Sequence, residues 1–150
     1  MLNEYNAYDN AIRYIRTKIS LMIGRAVLRA VSSTGNIQRV QVQSLDGETI
    51  SDVERLQEYG LETVPKPSNT SEAIIIFPDG SRDRGMVLCI GDSAQRPSGL
   101  NPGDVCLYDC NGNSIKLTSS GIKMEDCNGN TIEMTGTQVK INGANLTVDK

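Results

Sequence analysis

Apolar and polar residues alternate through the last third of the chain. Five short segments each carry two apolar residues separated by one polar residue; the pairs are Ile115 and Leu117, Ile122 and Met124, Ile132 and Met134, Val139 and Ile141, and Leu146 and Val148. A period of two is typical of a β-strand with one covered face. Asn-Gly at 111–112, 128–129 and 142–143 supplies the positive φ angles that tight turns need. This pattern predicts a ladder of short strands joined by sharp turns.

The predicted turns mark an internal repeat. Asp109-Cys110-Asn111-Gly112-Asn113 recurs letter for letter at 126–130, an offset of 126 − 109 = 17 residues. Repeat architectures usually need about three units to bury a core, and the chain has two copies and a fragment. We therefore predict that copies of the chain associate about a symmetry axis. The predicted axial core comprises Ile115, Leu117, Ile122, Met124, Ile132, Met134, Val139 and Ile141.

The N-terminal segment, residues 1–20, has the spacing of a helix instead. Apolar residues fall three or four positions apart, at Tyr5, Tyr8, Ile12, Ile15 and Ile19. This spacing predicts an α-helix with one apolar stripe. Two interpretations stand side by side: the stripe packs on the chain's own domain, or it docks on a neighbouring protein through Tyr5, Tyr8, Ile12 and Ile15.

The middle of the chain is rich in β-strand patterns. Five strands are predicted, at Val27–Val31, Ile37–Val42, Val53–Tyr59, Ala73–Phe77 and Met86–Ile90. Five strands in this length favour a small closed barrel over residues 21–95, since closure removes exposed strand edges. An OB-like Greek-key barrel is the most natural candidate.

The predicted fold is therefore all-β with one N-terminal helix. Residues 96–104, rich in Pro and Gly, form a hinge between the barrel and the strand repeats of 105–150.

Composition narrows the class of protein. The chain has 150 residues, a net charge of −3, 38% hydrophobic and 22% charged residues, which is typical of a soluble globular protein. No run resembles a signal peptide or a membrane span, so we expect synthesis in the cytosol. The four cysteines form no CxxC and the chain has no histidine, so reduced thiols are favoured over a zinc site or disulfides.

Motifs that could carry catalysis or metal binding lack essential residues. Gly91-Asp92-Ser93 resembles the nucleophile block of one hydrolase class, but the chain contains no histidine to act as its base. The stretches starting at Asp109 and Asp126 begin like calcium loops, yet Ser114 and Thr131 stand where such a loop needs glycine. We expect no enzymatic activity, no metal and no cofactor.

Nucleic-acid binding is a further question that an OB-like barrel raises. Such barrels stack bases on aromatic residues in a basic groove, whereas this chain has no Trp and a negative net charge. Four arginines could form a local basic patch: Arg25, Arg29, Arg82 and Arg84. A solvated surface is the favoured interpretation, and no nucleic-acid partner is expected.

The order of parts resembles the Mu-like phage baseplate assembly protein V family, the central spike proteins of contractile tails. The most specific stretch is Arg96-Pro97-Ser98-Gly99-Leu100-Asn101-Pro102-Gly103-Asp104, which leads into Leu107-Tyr108-Asp109. The resemblance implies a homotrimer with an OB-fold collar and an intertwined, triple-stranded β-helix. It also implies a place in the baseplate of a virion or tail-like particle, assembled in the bacterial cytoplasm, beside hub and tail-tube proteins. Contraction of the sheath would push this spike into the envelope of the target cell.

One departure from the family concerns the tip. Membrane-piercing members often end in His-x-His motifs that bind iron, and this sequence contains no histidine. The short tail leads to three hypotheses: a separate spike-tip protein caps it, a C-terminal part has been lost, or the spike is blunt and unassisted.

Two rival classes stay open at this point. The first is a single-chain β-solenoid binding module, for instance for carbohydrate, which predicts a monomer. The second is a nucleic-acid-binding barrel with a strand-rich tail, which predicts salt-dependent retention of single-stranded oligonucleotide.

Overall fold

A computed structural model describes the backbone of residues 2–145 and the side chains of residues 6–78 and 80–143. Helix α1 (Leu2–Ser20) precedes a five-stranded barrel and a six-stranded sheet. The chain divides into two compact units, Met1–Ala94 and Gln95–Lys150. The first unit contains the helix and the barrel, and the second, here named the tail, contains the sheet. The predicted all-β fold with one N-terminal helix is confirmed.

The barrel closes in the order β1-β2-β3-β5-β4. Its strands are β1 (Ile23–Ser32), β2 (Arg39–Ser44), β3 (Thr49–Arg55), β4 (Ser71–Ile76) and β5 (Met86–Asp92). Strand β1 pairs antiparallel with both β2 and β4, whereas β3 and β5 pair in parallel. Two single-turn 3₁₀ helices, Pro78–Gly80 and Arg82–Arg84, connect β4 to β5.

The barrel interior is filled by alternate strand residues. They are buried and apolar: Ala26, Leu28, Val40, Val42, Val53, Ala73, Ile75 and Val87. Phe77, just after the end of β4, is buried with them. This spacing of two follows directly from the alternation of side chains across a strand. The core is small and almost entirely aliphatic, with Phe77 as its one aromatic residue among those described.

The prediction for the third barrel strand was wrong in position. The strand spans Thr49–Arg55 instead of Val53–Tyr59. It begins earlier because a tight turn at Gly47, which has φ +88°, lets the Ser44 N–H donate to the carbonyl of Glu48 at 2.8 Å.

The same strand ends earlier because polar contacts pull the chain out of the sheet. The Arg55 guanidinium donates to Gln38 Oε1 and to the carbonyl of Thr63, both at 2.6 Å. Gln38 is itself buried and donates to that same carbonyl at 3.0 Å. The apolar residues Leu56 and Tyr59, which suggested strand, are exposed in the loop that follows.

The tail is an antiparallel meander in which each strand pairs with the next. Its strands are β6 (Val105–Tyr108), β7 (Ser114–Thr118), β8 (Gly121–Glu125), β9 (Thr131–Thr135), β10 (Gln138–Ile141) and β11 (Ala144–Asn145). Four of the five predicted apolar pairs lie in β7 to β10. The fifth pair, Leu146 and Val148, falls outside the described residues.

Gly121 opens strand β8 at a point where no side chain fits. A Cβ atom there would lie 1.9 Å from the carbonyl oxygen of Met134, and the residue has φ +139°. Gly129, at φ +83°, has nothing within 4 Å of the same hypothetical atom. Gly129 therefore serves as a comparison site that has a positive φ but no steric overlap.

Replacing Gly121 by alanine should lower the free energy of unfolding of the tail by about 3 kcal/mol, through backbone strain and overlap together. Gly129→Ala should cost only about 1 kcal/mol, the penalty of a left-handed conformation. Denaturant unfolding of both variants, followed by circular dichroism, measures the difference. Equal losses would show that the close approach to Met134 has no energetic weight.

Candidate assembly surface of the tail

One face of the tail sheet is apolar from its first strand to its fifth. Cross-strand pairing aligns the side chains in two rows: Val105, Leu117, Ile122, Met134 and Val139 in one, and Leu107, Ile115, Met124, Ile132 and Ile141 in the other. Directly paired residues on one face of an antiparallel sheet contact each other. These ten residues are named the apolar face.

All eight residues predicted for the axial core lie on the apolar face, and two further residues join them. Val105 and Leu107 were missed by the sequence analysis. The 17-residue period contains the signal for both, because 122 − 17 = 105 and 124 − 17 = 107. In the preceding repeat, they take the positions that Ile122 and Met124 have in theirs.

The described residues of the chain leave the apolar face uncovered. Eight of its ten side chains are exposed, from 38% at Met124 and Val139 to 57% at Val105. Ile115 and Ile122, in the middle strands, are half-buried. Full burial of a large aliphatic side chain stabilises a protein by about 1.5–3 kcal/mol. A face of this size left in water therefore forgoes a large stabilising free energy. Contiguous apolar surface of this kind marks an interaction site.

The opposite face of the sheet carries charges. Lys116, Lys123, Glu133 and Lys140 follow one another in cross-strand register. Lys123 Nζ lies 3.1 Å from Glu125 Oε2 and 3.6 Å from Glu133 Oε1. The hydrogen bond and the charge of Glu125 raise the pKa of Lys123. The sheet is therefore two-sided, with one face suited to water and the other to a partner.

The repeated Asp-Cys-Asn-Gly-Asn stretches form turns held by their first residue. Asp109 Oδ1 accepts hydrogen bonds from the N–H groups of Asn111 at 2.8 Å and Asn113 at 2.9 Å, and Oδ2 accepts from Asn113 Nδ2 at 2.6 Å. These bonds, above all those from Asn113, lower the pKa of Asp109 to about 2. Asp126 makes the same contacts in its own turn, and its pKa is lowered too.

Successive turns are also joined to one another along this edge of the sheet. The Cys127 N–H donates to Asn113 Oδ1 at 3.0 Å, which links the first repeated turn to the second. Asn142 links the second turn to the third, since its Oδ1 accepts from the Thr131 N–H at 2.8 Å and its Nδ2 donates to Asn130 Oδ1 at 3.2 Å. The repeat indicated turns, but nothing in the sequence indicated these links.

The stripe of helix α1 lies open as well. The described helical side chains from residue 6 to residue 17 are all exposed, including Tyr8 at 71% and Ile15 at 54%. Ile12 belongs to the same exposed set, while the side chain of Tyr5 is outside the described residues. The described residues of the stripe are therefore not packed on the chain's own barrel. Among the described residues, no helix is long and apolar enough to cross a membrane.

Three of the four arginines that could have formed a basic patch on the barrel are engaged by other side chains. Arg25 forms an ion pair with Glu72, and Arg82 forms one with Glu48. The third arginine, Arg29, donates to Gln43 Oε1 and Asn69 Oδ1. These contacts favour a structural role for the arginines over a nucleic-acid groove.

Comparison with known proteins finds two protein families whose models match parts of this chain. Residues 25–94 match the family model of Bacteriophage Mu Gp45, N-terminal. Residues 84–147, which include the apolar face, match the Phage baseplate V C-terminal trimerisation domain. Between them the two matches span residues 25–147 and confirm the resemblance to Mu-like baseplate proteins that the sequence predicted.

Two relatives show the extent of the similarity. The baseplate puncturing device gp45 of Escherichia phage Mu is 35% identical over 116 residues, which cover 77% of this chain and 58% of that protein. The Mu-like prophage FluMu protein gp45 of Haemophilus influenzae is 33% identical over 115 residues, which cover 77% of this chain and 62% of the relative. The chain thus spans about three-fifths of the length of these relatives.

The hydrogen bonds of Asp109 predict a pH-dependent contribution to the tail. Its pKa is about 2 in the folded chain and about 3.9 when unfolded. The stabilisation is therefore fully present above about pH 4 and is lost as the pH falls through about 2. Asp109→Ala should lower the melting temperature at pH 7, and the difference from the unmodified chain should shrink towards pH 2.

Circular dichroism melts at pH 7, 4 and 2 measure this effect. Asp126→Ala is the matched variant in the second turn and should behave in the same way, because its carboxylate has the same set of partners. A difference from the unmodified chain that is just as large at pH 2 would refute the role of the ionised carboxylate.

Proposed function

We propose that the chain is the central spike of a contractile-tail baseplate, a homotrimer that helps to pierce the target cell envelope when the sheath contracts. The observation that carries the proposal is the exposed apolar face, in a segment that matches a baseplate trimerisation domain. The phage Mu relative is a baseplate puncturing device, which supports the piercing role. The work of such a protein is mechanical, and we propose no catalytic step.

The two-sided tail supports assembly around an axis. Three apolar faces can meet along a threefold axis and leave the three charged faces in water, so every chain gains the cover that it cannot supply itself. Folding of the tail is then linked to association, which makes the shaft more stable and slow to dissociate. The hydrogen-bonded strand pairs of the described tail lie within one chain. Intertwining of the three chains is an expectation from the family resemblance.

The barrel suits the collar of such a spike. The strand order β1-β2-β3-β5-β4, the antiparallel closure of β1 on β4 and the parallel pairing of β3 with β5 support the OB-like form. We place helix α1 against a hub or tail-tube protein, because the described residues of its stripe are exposed and helices in proteins gain most of their stability from packing of an apolar face.

The assignment of the axial core is tested by placing a charge on each face of the tail. Ile132→Asp would place three buried carboxylates near the axis, one from each chain. We therefore expect loss of the trimer and a lower melting temperature. Gln138→Asp adds the same charge to an exposed side chain on the polar face and should leave the trimer intact. Light scattering gives the mass of both variants. A fully trimeric Ile132→Asp with an unchanged melting temperature would refute the assignment.

The role of helix α1 is tested by removing its stripe. The double variant Ile12→Asp with Ile15→Asp, and deletion of residues 1–18, should each leave a folded trimer that no longer enters baseplates. Asn10→Asp, which adds charge at a polar position of the same helix, should assemble normally. Incorporation is measured by the amount of each variant in purified tail particles. Normal incorporation of the double variant would contradict a docking role.

A further inference from the structure

Asp92, the last residue of strand β5, is the centre of a cluster of hydrogen bonds at one end of the barrel. Its Oδ1 accepts from Thr70 Oγ1 at 2.6 Å and from the Ala94 N–H at 3.0 Å. Its Oδ2 accepts from Ser68 Oγ at 2.8 Å and from Ser71 Oγ at 2.9 Å. Hydrogen bonds from Thr70 and then Ser68 contribute most to lowering the pKa of Asp92 to about 2, so the ionised carboxylate is the form that the cluster holds.

This cluster ties three parts of the barrel unit together. Ser68 and Thr70 belong to the loop before β4, Ser71 opens β4, and Ala94 lies just beyond β5. Ser71 is completely buried and is paired with Asp92 in the antiparallel ladder. The Ser71 hydroxyl also lies 2.9 Å from the carbonyl of Lys66. A single carboxylate thus holds the loop, the start of one strand and the end of another.

The position of this cluster along the chain determines what it can resist. The chain leaves the barrel unit at Ala94, so a pull transmitted along the chain from the tail reaches the barrel at the end of β5. A pull at that end would peel β5 from β4 starting with Asp92 and Ser71, which are the last pair of the ladder. The four hydrogen bonds of Asp92 lie at that first pair.

We propose that Asp92, with Ser68, Thr70 and Ser71, is a mechanical clasp that keeps the chain's exit from the barrel closed while force passes between barrel and tail. The force arises from the proposed spike function, on which the biological role of the clasp rests. The clasp also gives a structural role to the Gly91-Asp92-Ser93 stretch, which the sequence analysis singled out and rejected as a catalytic motif.

Hydrogen exchange on the full chain tests the local part of this proposal. Asp92→Ala should speed amide exchange roughly tenfold in residues 70–72 and 91–94, as expected for local opening, and far less in the rest of the barrel, whose denaturation midpoint should fall only slightly. Asp92→Asn keeps the Oδ1 acceptor for Thr70 and Ala94 but replaces Oδ2 with a donor, so an intermediate rate is expected. Asp83→Ala, at an exposed aspartate of the same unit, should change neither quantity.

Optical-tweezers measurements on the full chain, held by tags at its two ends, test the mechanical part. The first rupture of the barrel should occur at a lower force in Asp92→Ala and at an unchanged force in Asp83→Ala. An unchanged rupture force, unchanged local exchange, or a uniform rise in exchange with a lower midpoint would each overturn the clasp. The spike function can fail separately. If the chain is a monomer in solution, the proposed trimer is wrong, but the rupture and exchange results expected of Asp92 stay the same.

Discussion

The rest of the structure depends on one constraint, which is that a single-layered sheet cannot cover its own apolar face. The tail presents two aligned rows of aliphatic and methionine side chains, and its own chain supplies no second layer among the described residues. Stable domains are built from at least two packed layers. In the proposed trimer, association supplies the missing layer, so assembly and folding of this segment are linked. Its match to a trimerisation domain agrees with that conclusion.

The turns and the charged face serve the same constraint. A slip of one residue in any strand would move its apolar residues to the polar face, so the register has to be fixed independently of the partner chains. The Asp109 and Asp126 turns and the Asn113 and Asn142 links fix it along one edge. On the opposite face, the Lys123 contacts with Glu125 and Glu133 keep that side suited to water. The result is a preformed surface with defined spacing.

The sequence predicted those features that arise from short-range periodicity. Alternation located strands β7 to β10 and their apolar face, and the Asn-Gly pairs located the turns. Sequence patterns failed where hydrogen bonds between residues far apart in the chain decide the structure. Strand β3 ends at Arg55 because Gln38 and Thr63 bind its guanidinium. The apolar residues beyond Arg55 wrongly indicated a strand that continues to Tyr59. The Asp92 cluster joins residues more than twenty positions apart, so no local pattern indicated it.

The mass of the intact chain in solution tests the central claim most directly. Multi-angle light scattering on the purified full chain, over a range of concentrations, should give three times the chain mass of 16.3 kDa. That result would show that the apolar face is covered by two further copies. A mass of one chain at every concentration would contradict the account, because the face would then stay in water and the tail would act as a single-chain module.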